Sequence, residues 1–307
     1  MQVFRSFCIL FCYACSLLFS VPVCSNDVSS QAFPRLVTVD WTVAETLIAL
    51  GAPPVGMAQT DSYRTWVQEP ALPANLVDIG LRSQPNRELL VQLKPDRILI
   101  SPMFSMLEPM LSKIAPVSSI AMYHPGSDVW ADLYKTTRSI AKVAGKQEKG
   151  EQLLTGLETY LSSLSHCLKS EKKPFIVVQF IDDRHVRVYG KQSLFDAVMQ
   201  KMGLRNAWLG ETNYWGFSTI GIEKLAAYRN IRLIIVEPVP VGVPEKLAHS
   251  RIWSALPVIQ QRDYLYLPPV WSFGGIASAH RFATELSKAL NQSTSSDCPG
   301  VANALAY

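Results

Sequence analysis

Twice along this chain a helix-forming segment, a short turn and an apolar strand follow one another in the same order, as ELLVQLKPDRILIS over residues 88–101 and as EKLAAYRNIRLIIVE over 223–237. Strands this apolar are covered on both faces, and strands alternating with helices form parallel or mostly parallel sheets. The first block adds a strand over 36–40 (LVTVD) and a helix over 43–50 stopped by Gly51 and the Pro53-Pro54 pair. The second adds a strand over 185–189, a helix over 193–202 stopped by Gly203, and an apolar strand over 175–181. Between the blocks Leu153, Leu154, Leu157, Leu161, Leu164 and Leu168 recur at three- and four-residue spacing. A helix over 146–169 is roughly 36 Å long at about 1.5 Å per residue, enough to bridge two lobes. The expected fold is α/β: two lobes, each a mostly parallel sheet with flanking helices, joined by one long helix. Such lobes leave a cleft, and open sheets bind ligands where the carboxyl ends of their strands face a crevice.

The amino-terminal residues carry one charge, Arg5, and then an apolar run over 7–23, with no acid before Asp27. This pattern reads as a secretory signal peptide over 1–25, with Val23 and Ser25 as the small residues before cleavage. The remaining organisation reads as an N-terminal lobe over 33–145, a connecting helix over 146–170, a C-terminal lobe over 171–292 and a tail over 293–307. Losing the leader removes Arg5 and no acid, so the formal charge moves only from +4 to +3. That balance, without a Lys/Arg cluster, gives no footprint for nucleic acid or an anionic membrane. Four of the six cysteines lie in the leader; Cys167 and Cys298 remain, either joined or as two free thiols.

Enzyme signatures are missing. His124, His166, His185, His249 and His280 show no metal-ligand spacing, and there is no GxSxG elbow, P-loop or GxGxxG. Aromatic residues stand out instead: Trp41, Trp66, Trp215 and Trp271 all fall in loops or at strand ends, where a cleft is lined. Arg82, in the loop DIGLRS, offers a planar fork of donors suited to closely spaced electron-rich oxygens. A pocket of this kind fits a ligand with an apolar frame and a cluster of oxygen acceptors, and it needs no catalysis.

Three long stretches carry a resemblance: YRTWVQEPALPANLVDIGLRSQPN (63–86), YGKQSLFDAVMQKMGLRNAWLGETNYWG (189–216) and LPPVWSFGGIASA (267–279). With them the chain, from about residue 36 to 290, resembles the ferrichrome-binding proteins of bacterial hydroxamate-siderophore import, among the periplasmic binding proteins whose lobes share a single helix. The resemblance implies a periplasmic, monomeric protein that binds an Fe(III)-hydroxamate siderophore and hands it to an ABC permease and its ATPase subunit at the inner membrane. It implies no cofactor and no metal ligand from the protein, since the siderophore holds the iron. Arg82 then matches the arginine on the hydroxamate oxygens, and Trp66, Trp215 and Trp271 match the pocket walls, with Trp41, Asn213 and Phe273 on the pocket side. Phe104 stands where the family has a hydroxamate-binding tyrosine, so that donor is missing. One carboxylate per lobe docks on the permease in the family: Glu223 matches the second-lobe position, and Glu108 is the nearest first-lobe candidate, displaced by about one residue from the family position. A haem or corrinoid ligand on the same scaffold, and a secreted α/β enzyme, are the alternative readings.

Overall fold

A computed structural model describes residues 33–294; the leader, most of the tail over 293–307 and Cys298 lie outside the described residues. The chain opens with β1 (Leu36–Thr38), α1 (Trp41–Ala49), β2 (Gly56–Met57), α2 (Thr60–Trp66), β3 (Val77–Asp78), α3 (Arg87–Leu93), β4 (Arg97–Ile100), α4 (Glu108–Leu111) and β5 (Val117–Ser119). Two long helices follow, α5 (Val129–Val143) and α6 (Gln147–Cys167). The rest comprises β6 (Phe175–Phe180), β7 (His185–Tyr189), α7 (Leu194–Lys201), β8 (Phe217–Gly221), β9 (Arg232–Val236), α8 (Val243–Ala248), α9 (Arg251–Ser254), α10 (Pro257–Gln260), β10 (Tyr264–Leu267) and α11 (Ile276–Thr294).

The five strands of the first sheet run β3-β2-β1-β4-β5, all parallel. Its order therefore turns back between β1 and β4, the place where an open α/β sheet leaves a crevice beyond its strand ends. The second sheet runs β10-β9-β6-β7-β8 and is mixed: β9 pairs parallel with β10 and β6, while β6-β7 and β7-β8 are antiparallel. The hairpin turn between β6 and β7 is too short for a parallel crossover, so antiparallel pairing is forced.

Local capping sets several boundaries. The first helix begins at Trp41, two residues earlier than the apolar spacing indicates, because Asp40 sits in extended backbone and accepts from Thr42 N and Val43 N. Asn86 and Asp128 cap α3 and α5 in the same way, and Lys94 ends α3 in the left-handed region. The segment 223–228 forms a 3-10 turn, Ile222–Ala227, and not an α-helix.

Cores on the outer face of each sheet are separate, with Ile98 and Ile100 in one and Val186, Val188 and Ile235 in the other. The largest core lies between them. It joins Leu47 of α1, the leucines of α6, Phe175 and Tyr189 of the second sheet, and Ile276, Phe282 and Leu286 of α11. The sheets therefore pack onto one shared interior through α6 and α11. Cys167, the last residue of α6, is disulfide-bonded; Cys298, its one candidate partner outside the leader, is not among the described residues. No helix among the described residues is long and apolar enough to cross a membrane.

Candidate functional site

A cavity of about 280 Å³ opens at the carboxyl ends of β1 and β4. Asp40, two residues after β1, uses Oδ1 to cap α1 and Oδ2 to accept from the Oγ of Ser101, directly after β4, at 2.6 Å. One carboxylate thus ties together the two strands between which the sheet order reverses. Arg82, in the loop after β3, donates from Nε to Val39 O at 3.1 Å. Its guanidinium carbon lies 4.5 Å from the ring centre of Trp41, 4.9 Å from Phe104 and 5.8 Å from Trp271. Burial lowers its pKa and Asp40 partly restores it; an arginine stays charged under either influence. Among the described residues its two terminal amino groups have no protein acceptor.

The aromatic half of the cavity comes from the second sheet. Trp271 and Phe273 follow β10, and Phe273 is the hub, 5.3 Å from Trp271 and 5.2 Å from Trp215, both in edge-to-face contact. Such ring pairs contribute about 0.5–1.5 kcal/mol beyond the area they bury. Thr42 of α1 pins the segment, donating to Phe273 O at 2.6 Å and accepting from Trp271 Nε1 at 3.3 Å. The next residue has no room for a side chain: a Cβ on Gly274 would fall 2.1 Å from Ser278 Oγ and 2.9 Å from Glu45 Oε1. Trp215 rides on a turn in which Asn213 Oδ1 accepts from Trp215 N and Phe217 N. Gly216 closes that turn at φ +79, where a Cβ would lie 2.1 Å from Ser193 N.

Behind the wall, Glu45 of α1 is completely buried and caps α11 from another element, accepting from Gly275 N, Ser278 N and Ser278 Oγ. Burial pushes its carboxyl from 4.5 up to about 8, against those hydrogen bonds. Its proton is therefore largely retained at neutral pH.

Of the expected site residues, Arg82, Trp215, Trp271 and Phe273 line the cavity. Four do not. Trp41 is buried beneath it, with its ring 5.0 Å from Trp271, and Phe104 is buried beneath Arg82. Trp66 ends α2 and packs, half-buried, against the cluster of Trp41, Met57, Tyr63 and Val67. Asn213 holds the turn that carries Trp215, with its side chain outside the wall. Trp41 and Phe104 thus support the arginine, and Asn213 supports a tryptophan.

Sequence reasoning missed part of the wall. Tyr123 stacks on Trp215 at 5.4 Å and 29° and donates to Gly274 O at 2.8 Å. It follows β5, a three-residue strand reading Val-Ser-Ser, too short and polar to register as one. His124 and Met122 enter with it, His124 with Nε2 3.0 Å from Asp132 Oδ2. The Asp40-Trp41 pair after LVTV was the available signal for Asp40: a cap residue at a strand end. No group of three or more His, Cys, Asp or Glu side chains among the described residues could hold a metal ion.

The described geometry is that of a cleft with one polar wall and one aromatic wall. A family model described as periplasmic binding protein matches residues 36–270. The chain belongs to that family. As a periplasmic binding protein it is 33% identical over 257 residues to the iron(3+)-hydroxamate-binding protein FhuD of Escherichia coli (strain K12), covering 83% of this chain and 86% of that one. It also matches the structure of the Fe3+-Desferal-bound siderophore binding protein FhuD from Vibrio cholerae, with a TM-score of 0.79 and 26% identity over 84% of this chain and 97% of the other. The triscatecholate siderophore binding protein FeuA from Bacillus subtilis shares the fold at a TM-score of 0.66 and 16% identity, covering 84% of this chain and 93% of that one. In this periplasmic binding protein Glu108 opens α4 and Glu223 lies in the 3-10 turn after β8, both exposed.

Proposed function

We propose that this periplasmic binding protein captures a ferric hydroxamate siderophore in the cavity and delivers it to an ABC-type importer at the inner membrane. One observation carries the reading. Arg82 is held on an aromatic bed by one backbone hydrogen bond, with its terminal amino groups on the cavity and no protein acceptor among the described residues. A planar pair of donors set this way suits adjacent iron-bound hydroxamate oxygens, which are close together and electron-rich. Trp215, Trp271 and Phe273 then take the organic frame of the ligand out of water.

Capture is reversible, and no covalent step is needed. The core shared by both sheets and the twenty-one residues of α6 favour small relative motion of the lobes on binding. Export follows from the leader, and Glu108 and Glu223 are the carboxylates assigned to docking on the permease. Reversing both charges should abolish uptake and leave ligand affinity unchanged.

The test is intrinsic tryptophan fluorescence of the purified protein titrated with ferrichrome, other ferric hydroxamates, a ferric catecholate and haem. Saturable quenching by hydroxamates is expected, weakened about 10- to 100-fold in Arg82→Ala, the range for losing hydrogen bonds from a charged donor. Quenching by haem alone, or unchanged affinity in Arg82→Ala, would overturn the reading.

A further inference from the structure

Arg187 is, after Arg82, a second arginine near the cavity that forms no salt bridge among the described residues. Among the described residues Arg64, Arg138 and Arg232 form ion pairs, and Arg187 forms none. It sits mid-strand in β7, half-buried, opposite Gln179 of β6 and Thr219 of β8. Alternation along β7 fixes its direction. Val186 and Val188 enter the outer core, whereas Tyr189 enters the core between the sheets, so Arg187 projects on that inner face. Because β7 runs antiparallel to β6, Arg187 lies near the carboxyl end of β6, on the crevice side. Its guanidinium carbon is 5.3 Å from the ring centre of Phe217 and 5.9 Å from that of Phe273, the hub of the cavity wall. Its charge bears on the buried hydroxyl of Tyr189, which itself donates to Gln179 Oε1 at 3.0 Å.

We infer that Arg187 is a second recognition group of the ligand site, supplied by the second sheet, and that it selects ferric hydroxamate complexes carrying net negative charge, such as those with free carboxylates. The inference rests on the siderophore reading above. Its basis is the charge balance around the cleft. Asp40 stands beside Arg82 and offsets it, and His124 is paired with Asp132. Glu45 is buried behind the wall and hydrogen-bonded to Gly275 and Ser278. Arg187 is left as an uncompensated positive charge beside apolar rings. A neutral ligand that covered this face would strip water from the cation and return nothing, while an anionic one would supply its counter-charge.

The experiment titrates the purified protein with three ferric hydroxamates of different charge: ferric aerobactin (anionic), ferrichrome (neutral) and ferrioxamine B (cationic). The wild type should favour the anionic complex, by a margin that shrinks as salt rises. Arg187→Gln should weaken ferric aerobactin about 10-fold or more and the neutral complex by less than about 3-fold, while Arg187→Lys keeps the preference. Equal weakening of all three complexes in Arg187→Gln would assign Arg187 to propping up Phe273 and overturn the inference, as would no change. If the glutamine variant does not fold, the lysine variant and the salt dependence of the wild type decide: loss of the preference in the first, or its absence in the second, overturns it. Binding of the neutral complex with Arg82 dependence, but without any anion preference, would leave the siderophore reading intact and remove this one. Binding of none of the three would remove both.

Discussion

The two halves of the cavity are held by different physics. On the first sheet, Asp40, Ser101 and Arg82 are placed by hydrogen bonds to caps and backbone carbonyls, each with few alternatives in direction. On the second, the rings of Trp215, Trp271 and Phe273 lie against one another in a chain of edge-to-face contacts, carried on glycine-dependent turns that Thr42 and Asn213 anchor. A hydrogen-bonded group removed from the first half leaves unsatisfied partners, whereas a ring removed from the second leaves a gap that its neighbours can partly fill. The polar half should therefore respond steeply and selectively to substitution, and the aromatic half more gradually and broadly.

The contact joining the halves gives the largest expected effect. Glu45→Ala strips the cap from α11 and leaves Gly275 N and Ser278 without their buried acceptor, which should cost about 3–5 kcal/mol of stability in urea unfolding. Glu45→Gln separates the hydrogen bonds from the charge. The wild-type carboxyl holds its proton up to about 8 in the fold and only to its ordinary 4.5 when unfolded. Its contribution to stability is thus complete below 4.5 and falls as pH rises toward 8. The glutamine variant cannot ionise, so its stability relative to wild type should climb by a few kcal/mol between pH 5 and 8. A constant difference across that interval would mean that the pair of halves is joined by a permanently ionised carboxylate.

In the aromatic half, Trp271→Ala should lower ligand affinity about 10-fold and stability by about 2 kcal/mol, since the ring is only half-buried but touches Trp41, Phe273 and the Arg82 guanidinium. Affinity for every hydroxamate should fall together. Selective loss of one ligand would show instead that the rings discriminate, and the contrast between the halves would fail.

Much of the fold could be read from the chain because its main elements are long and strongly periodic. The leucine spacing over 153–168 found α6 to within two residues, and the apolar runs found β4, β6 and β9. The short strands β2, β3 and β5 were not legible, since so short a run has no period, whereas the equally short β1 was visible through the apolar residues of LVTVD that continue past it. The mixed order of the second sheet was likewise hidden, because it depends on which strands pair rather than on any one strand. The site followed the same division. Arg82 and the tryptophans beyond the strand ends were visible as residue types in loops, whereas Tyr123 and Glu45 were not, because their roles arise from contacts with Trp215, Gly274, Gly275 and Ser278 more than ninety residues away.

The smallest expected effect lies within the polar half. Phe104 is buried beneath the guanidinium of Arg82, 4.9 Å from it, where ferrichrome-binding relatives are expected to carry a tyrosine. Phe104→Tyr would add one hydroxyl to a wall whose charged donor is already in place. If that hydroxyl reaches the ligand oxygens, affinity for ferrichrome should rise by about 0.5–1.5 kcal/mol, up to roughly 10-fold, with Arg82 still required. If it instead meets no acceptor in its buried position, the same change should lower stability by about 1–3 kcal/mol with no gain in affinity. Isothermal titration with ferrichrome beside urea unfolding separates these outcomes. A gain in affinity would place Phe104 in the ligand-binding half of the polar wall; a loss of stability alone would leave it as the bed on which Arg82 rests.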